Sequence, residues 1–282
     1  MGYLHIDNLY KNQDILLFKE CYALEKIHGT SAHIAHREGR LRFFAGGSKH
    51  ESFVELFDQD ALLARWQGIE AVVYGEAYGG KLQGMSDTYG PAMKFVAFDV
   101  QIGGLWLSVP QAEEFCREAG LEFVHYNRIS THLTDIDGER DADSVQAVRN
   151  GMGTGHVREG VVLRPLIELT KNNGDRVICK HKRDEFRETK TPRKVDPEKL
   201  KVLEDAKAIA EEWVTPMRIA HVIDKFPNPS MEMMPGIMEA MFHDVQREGE
   251  GEIVWTAEVK KAIGKATAQG VKAYFQSQLR RT

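Results

Sequence analysis

The chain is poor in the features that mark several whole classes of protein. Its 282 residues hold three cysteines, Cys21, Cys116 and Cys179, too far apart for any metal or redox spacing, so neither a disulfide framework nor a zinc module is expected. No apolar run approaches the length of a bilayer span. Asp7, Lys11, Asp14 and Lys19 interrupt the first twenty residues, where a secretory signal needs an apolar core. A reducing, cytoplasmic setting without a membrane partner is expected. Positive charge is also lacking: 37 Lys and Arg stand against 42 Asp and Glu, which is unusual for a protein that grips a polyanion. The run Gly151-Met152-Gly153-Thr154-Gly155 lacks the Lys-Ser/Thr ending of a P-loop and is read as a surface loop before a strand. His28, His33 and His36 need not converge on a strand and turn, and no metal centre is expected of them.

Local charge runs against the total. Between Lys171 and Lys194 nine basic residues face four acidic ones, a surplus of +5 within 24 residues. Strands are expected at Tyr22–Ile27, Ala32–His36 and Arg40–Phe44, the last two joined by a turn at Glu38-Gly39. Glu51–Trp66 has the spacing of one helix, with Phe53, Leu56, Phe57 and Leu63 largely on one side. Further strands are expected at Ala71–Tyr78, Lys94–Val100, Gly160–Arg164 and Arg176–Lys182, and a helix from Pro110 to Gly120. Thr191-Pro192 and Asp196-Pro197 read as a linker, after which helix formers dominate. The expected organisation is an α+β domain over residues 1–189 and a small helical domain over 190–282. Met231, Met233, Met234, Met238 and Met241 are expected to pack inside that second domain.

Five segments carry chemistry. In Glu25-Lys26-Ile27-His28-Gly29-Thr30 a lysine ends a strand and a glycine follows within three residues, which brings an amine within reach of a phosphate. Lysine is a poor nucleophile at its usual pKa of about 10.4 and needs neighbouring cations or desolvation. Lys180 and Lys182 lie two apart on a strand and so share a face, which suits a phosphate-binding wall as well as an exposed edge. Glu76 follows the apolar strand Val73-Tyr74-Gly75. Phe98 and Asp99 end another, and Glu159-Gly160 starts a third.

Taken in order, these segments resemble the motif set of the covalent nucleotidyltransferases, which comprise DNA ligases, RNA ligases and capping enzymes. The Glu-Lys-Ile-His-Gly-Thr signature is most similar to the RNA ligase 2 type, since the other branches usually carry Asp where His28 stands. The resemblance spans Lys26 to Lys182 and extends to the helical tail. It implies an antiparallel-sheet adenylyltransferase domain followed by an all-helical one, ATP as the source of a covalent lysyl-AMP, and Mg2+, with Mn2+ as a substitute. It makes Lys26 the nucleophile, with Lys180 and Lys182 on the α-phosphate. Phe98 would stack on adenine, Glu76 would take the ribose, and Glu25, Ile27 and His28 would line the nucleotide. Glu159, with Asp99, would hold the metal. The implied partner is RNA, nicked or splinted in a duplex; no protein partner is evident. Two departures stand out. Ser31 replaces the family's asparagine, and no arginine occupies Phe44–Lys49, so Lys49 is the candidate nucleotide cation with Arg40 and Arg42 as alternatives. A DNA ligase, a capping guanylyltransferase, or a nucleic-acid-binding scaffold without catalysis are the competing readings.

Overall fold

The computed structural model describes residues 2–171, 174–188 and 206–279. The chain divides into two compact units, Met1–Arg183 and Asp184–Thr282. The expected domain boundary at 189/190 and the Thr191-Pro192 and Asp196-Pro197 linker lie outside the described residues.

The first unit is built on two antiparallel sheets. Strands β1 (Glu20–Lys26), β2 (Thr30–Arg37), β3 (Arg40–Ala45), β4 (Ala71–Gly79), β5 (Met93–Ile102), β6 (Leu105–Trp106), β7 (Tyr126–Ser130), β8 (Gly160–Pro165) and β9 (Cys179–Lys182) are arranged as β7-β1-β8-β9 and β3-β2-β4-β5-β6. Helices α1 (His50–Val54), α2 (Gln59–Arg65), α3 (Ser86–Tyr89), α4 (Val109–Glu118), α5 (Leu133–Arg140) and α6 (Val145–Arg149) fill the connections. One hydrophobic core joins both sheets to the helices, with Leu24 and Ile27 packed in the same cluster as Ile34, Val73, Val100, Leu62, Trp66 and Cys116.

Strand alternation decides which residues reach the space between the sheets. In the first sheet, Tyr22, Leu24 and Lys26 stand beside Arg164, Val162 and Gly160, and the last two stand beside Lys180 and Lys182. In the second, Ser31, His33 and Ala35 stand beside Glu76, Tyr74 and Val72. Arg164 reaches across to Asp99 at 2.9 Å, so these two faces oppose each other across a cleft.

Two sequence expectations change here. The helix expected over Glu51–Trp66 is two helices, because Asp58 leaves the helical conformation and caps α2 by accepting from the Ala61 N–H at 3.0 Å. The strand expected over Arg176–Lys182 begins at Cys179, since Arg176 turns inward to a buried ion cluster. The second unit contains α7 (Ala206–Trp213), α8 (Pro216–Asp224), α9 (Met234–Glu248) and α10 (Ala257–Leu279). Its core holds Trp213, Ile223, Met241 and Val271 with Met233 and Met234 packed against it, while Met231 is exposed.

Candidate active site

Lys26 ends β1, and across the neighbouring strands it lines up with Gly160 and Lys182. Gly160 sits between the two lysines with no side chain, packed directly against the backbone of His181 and Lys182. Both reach the carboxylate of Glu159, which is only 1% exposed: Lys26 Nζ lies 2.9 Å from Oε2 and Lys182 Nζ 2.8 Å from Oε1. His28 adds its Nδ1 at 3.3 Å from Oε2. Burial by itself raises the Glu159 carboxyl, but Lys182, then Lys26, with His28, overcome it and hold the group well below the usual carboxylate range. Two ammonium groups and one carboxylate thus meet at a single buried point. That surplus of positive charge is what a phosphate requires.

The turn after Lys26 is fixed on both sides. Its His28 N–H donates to the Tyr89 hydroxyl at 3.3 Å. Gly29 packs so close to β4 that a Cβ there would lie 2.9 Å from Glu76 Cγ and 2.3 Å from the Ala77 carbonyl oxygen. Glu76 therefore stands directly beneath the turn that carries the nucleophile candidate. Ile27 is buried in the core.

Phe98 is the extra residue of a β-bulge opposite Tyr74 and Gly75. The bulge turns Phe98 towards the face that carries Tyr74, where it meets Tyr3 edge-on at 4.9 Å. Asp99 beside it does not join Glu159. It is fully buried, with Oδ1 2.9 Å from Arg164 and Oδ2 2.6 Å from Arg176 and 2.7 Å from the Tyr3 hydroxyl. Glu168 completes the cluster by pairing with both arginines. The metal role expected of Asp99 is thereby corrected, because its oxygens are committed to a charge-balanced core near the far end of β8.

Glu25 is corrected too. Alternation puts its side chain on the face opposite Lys26, where it accepts from Ser144 Oγ at 2.5 Å and from the Val145 and Gln146 N–H groups at 3.0 and 3.2 Å. It caps α6, and burial raises its carboxyl despite these donors. Lys180 is gripped through its backbone, which accepts from Leu9 at 2.8 Å and donates to Asp7 at 2.9 Å, so the N-terminal segment splints β9. Lys49 is exposed at the start of α1, whereas Arg40 and Arg42 lie on the cleft-side face of β3. Tyr3, Tyr89, Ser144 and Arg176 are contributors that the motifs do not contain, and Arg164, at the end of the expected Gly160–Arg164 strand, carries no role in them. Only Ser144 carries a local signal, as a serine at a helix start.

Two facing antiparallel sheets with these motifs lining their cleft form the covalent nucleotidyltransferase fold. More narrowly, the model of the RNA ligase family matches residues 19–182, and the chain belongs to that family. Solved structures agree on the fold. The RNA ligase of Naegleria gruberi, as a lysine-to-methionine mutant with AMP and Mn, matches with a TM-score of 0.52 and 11% identity over 66% of this chain and 57% of that one. The same ligase with PPi gives 0.52, 12%, 66% and 57%, and a lysine-to-alanine mutant with ATP and Mn gives 0.51, 11%, 66% and 56%. The chain thus spans a little over half the length of these neighbours. No curated protein matches.

Proposed function

We propose that this protein is an ATP-dependent RNA ligase that seals 3′-hydroxyl/5′-phosphate breaks, with nicks in duplex RNA as its substrate. The observation that carries the reading is the meeting of Lys26 and Lys182 on the buried Glu159 carboxylate, with the side-chain-free Gly160 between them. Phosphoryl transfer needs positioning and charge neutralisation above all.

In the first step Lys26 Nζ gives up a proton to solvent, the Lys182 cation on the shared Glu159 carboxylate being the kind of neighbour that favours the neutral amine, and attacks the α-phosphate of ATP. An N–P bond forms, and the bond to pyrophosphate breaks. Lys182, joined by Lys180 from the same strand face, stabilises the charge that builds on the phosphoryl oxygens. Glu76 beneath the turn accepts from the ribose, and Phe98 offers its ring to the base. The AMP then passes to the 5′-phosphate of the break, and the 3′-hydroxyl attacks that phosphate and releases AMP. Glu159 is a hard oxygen donor of the kind Mg2+ takes, one carboxylate with substrate phosphates completing the set, and Mn2+ fits the same donors. When bound, such a cation neutralises charge on the polyphosphate.

Labelling with α-labelled ATP and Mg2+ tests the reading. The protein should carry an acid-labile, alkali-stable phosphoramidate that Lys26→Ala abolishes, and Lys182→Ala should slow its formation at least ~10²-fold. A label that persists in Lys26→Ala overturns the assignment. GTP as the labelling nucleotide would point to a capping enzyme. Matched nicked duplexes, RNA or DNA on each side, decide the substrate.

A further inference from the structure

The β2–β3 hairpin carries a group of residues to which the steps proposed above assign no role. Its register sets Arg37 opposite Arg40, Ala35 opposite Arg42 and His33 opposite Phe44, so all six share the cleft-side face. Leu41 and Phe43 point the other way, into the core. On the shared face His33 stacks on Phe44, with centroids 5.1 Å apart and planes 23° apart, and leans on Tyr74 at 5.7 Å. Phe44 remains 47% exposed, a large aromatic surface left open beside the stack. A cavity of about 80 Å³ opens next to it, floored by Ala35 and Val72 and walled by Arg37, Arg42, His33 and Tyr74. Arg37, Arg40 and Arg42 have no carboxylate partner among the described residues. Burial, with help from Arg37, pushes the His33 imidazole down to about 4, so the ring stacks uncharged near neutral pH. Ser31, two residues before His33 on the same strand, stands beside Glu76. The strip therefore starts at the nucleotide site and runs ~20 Å along the cleft-side face to Arg37, at ~3.4 Å per strand residue.

We infer that this hairpin face is a second RNA-binding site, in which a backbone phosphate of the RNA strand sits between Arg37 and Arg42 and an adjoining unstacked base lies on Phe44. Aromatic faces accept any base, and unpaired guanidinium groups lining a phosphate-sized cavity match the backbone beside it. The stack of His33 beneath Phe44 stiffens the ring for that role. Because the strip is continuous with the Glu76 row, the bound strand is the one that enters the reacting break. The inference rests on the RNA ligase reading, but it concerns binding and is measured separately from catalysis.

The test uses the full chain and a fluorescent nicked RNA duplex, with affinity followed by anisotropy across a salt series. Adenylylation of Lys26 is assayed on the same preparations. Arg37→Gln should weaken RNA binding and reduce the slope of log affinity against log salt by about 0.7–0.9, the share of one phosphate. Phe44→Ala should weaken it ~5–100-fold with the slope unchanged, and Phe44→Tyr should restore it. Both loss variants should keep the parent adenylylation rate and KM for ATP. Unchanged RNA affinity in both overturns the site. A raised KM for ATP with unchanged RNA affinity also overturns it, since the cations would then serve the polyphosphate of ATP. Failure of the parent protein to form any adduct would sink the ligase reading instead, and leaves the binding result standing on its own.

Discussion

Gly160→Ala is the substitution that most directly questions the geometry of the site. Gly160 has φ of 149° and pairs with both Lys26 and Lys182. A methyl group there would lie 2.2 Å from the His181 carbonyl oxygen and 2.7 Å from Lys182 Cα, about 1 Å short of ordinary van der Waals separation. Neither atom is the loose end of a side chain, so relief requires β9 to slide or peel from β8. Backbone strain of this kind costs ~1–3 kcal/mol, and overpacking a comparable ~1–3 kcal/mol. Together about 4 kcal/mol lowers Tm by ~8–16 °C in a unit of this size. The kinetic consequence is larger in kind, because the strand that must move carries Lys182. A displacement of ~1 Å at a reacting group can cost ~10²-fold in rate. Adenylylation should therefore fall by about that factor at temperatures where circular dichroism shows the variant folded. Gly39→Ala, at a turn with open space around the added methyl, is the matched control for a strained glycine far from the lysines. Adenylylation by Gly160→Ala at the parent rate would refute the argument that β8 and β9 hold the two lysines in register.

Three further predictions follow from the same contacts. Glu159 titrates below its unfolded value near 4.3, so the stability it contributes is fully present above that pH and is lost as pH falls through the depressed folded value; in Glu159→Gln this acid-limb loss should vanish from Tm–pH curves, at a cost of ~3–5 kcal/mol at neutral pH that adding Lys182→Met partly returns. Asp99→Asn should destabilise by a similar ~3–5 kcal/mol in denaturant melts while the metal concentration for half-maximal adenylylation stays put, and a shift in that concentration would reinstate Asp99 as a ligand. A chain ended at Lys190 should still form the enzyme–AMP adduct but seal a nicked duplex poorly, as measured by single-turnover labelling and gel ligation; equal loss in both assays would mean the helical part serves the fold rather than substrate grip.

Those parts of the site that depend on strand periodicity were legible from the sequence. Lys180 and Lys182 share a face because alternation requires it, and the same rule lines up Lys26, Gly160 and Lys182 once the strands are paired. What was hidden depends on partners distant in the chain. Glu25 reads as part of the nucleophile motif, yet its side chain caps a helix 119 residues away. Asp99 reads as a strand-end acid, yet Arg164, Arg176 and Tyr3 bury it. A bulge at Phe98 cannot be read from a run of alternating apolar residues, although it decides which way the aromatic ring faces. The break between α1 and α2 was foreseeable in principle, since Asp58 is a good N-cap, but the apolar spacing on either side of it masks the stop.

Charge gives the last step. The basic run from Lys171 onward looks like the polyanion-binding surface, because nine cations stand close together in sequence. In space much of its described part is spent. Arg176 lies 2.6 Å from Asp99 with its guanidinium 4.0 Å over the Trp106 ring, Lys171 pairs with Asp14 at 2.9 Å, and Lys182 faces Glu159. Arg37, Arg40 and Arg42, by contrast, have no carboxylate partner among the described residues, and no window of sequence charge singles them out because Glu38 sits among them and Leu41 separates two of them. Strand alternation removes Leu41 and Phe43 from that face and leaves the three arginines beside Phe44. Net charge therefore bears little on whether such a chain offers a surface to a polyanion: a total of −5 is compatible with a cationic strip wherever the acids are consumed elsewhere in the fold.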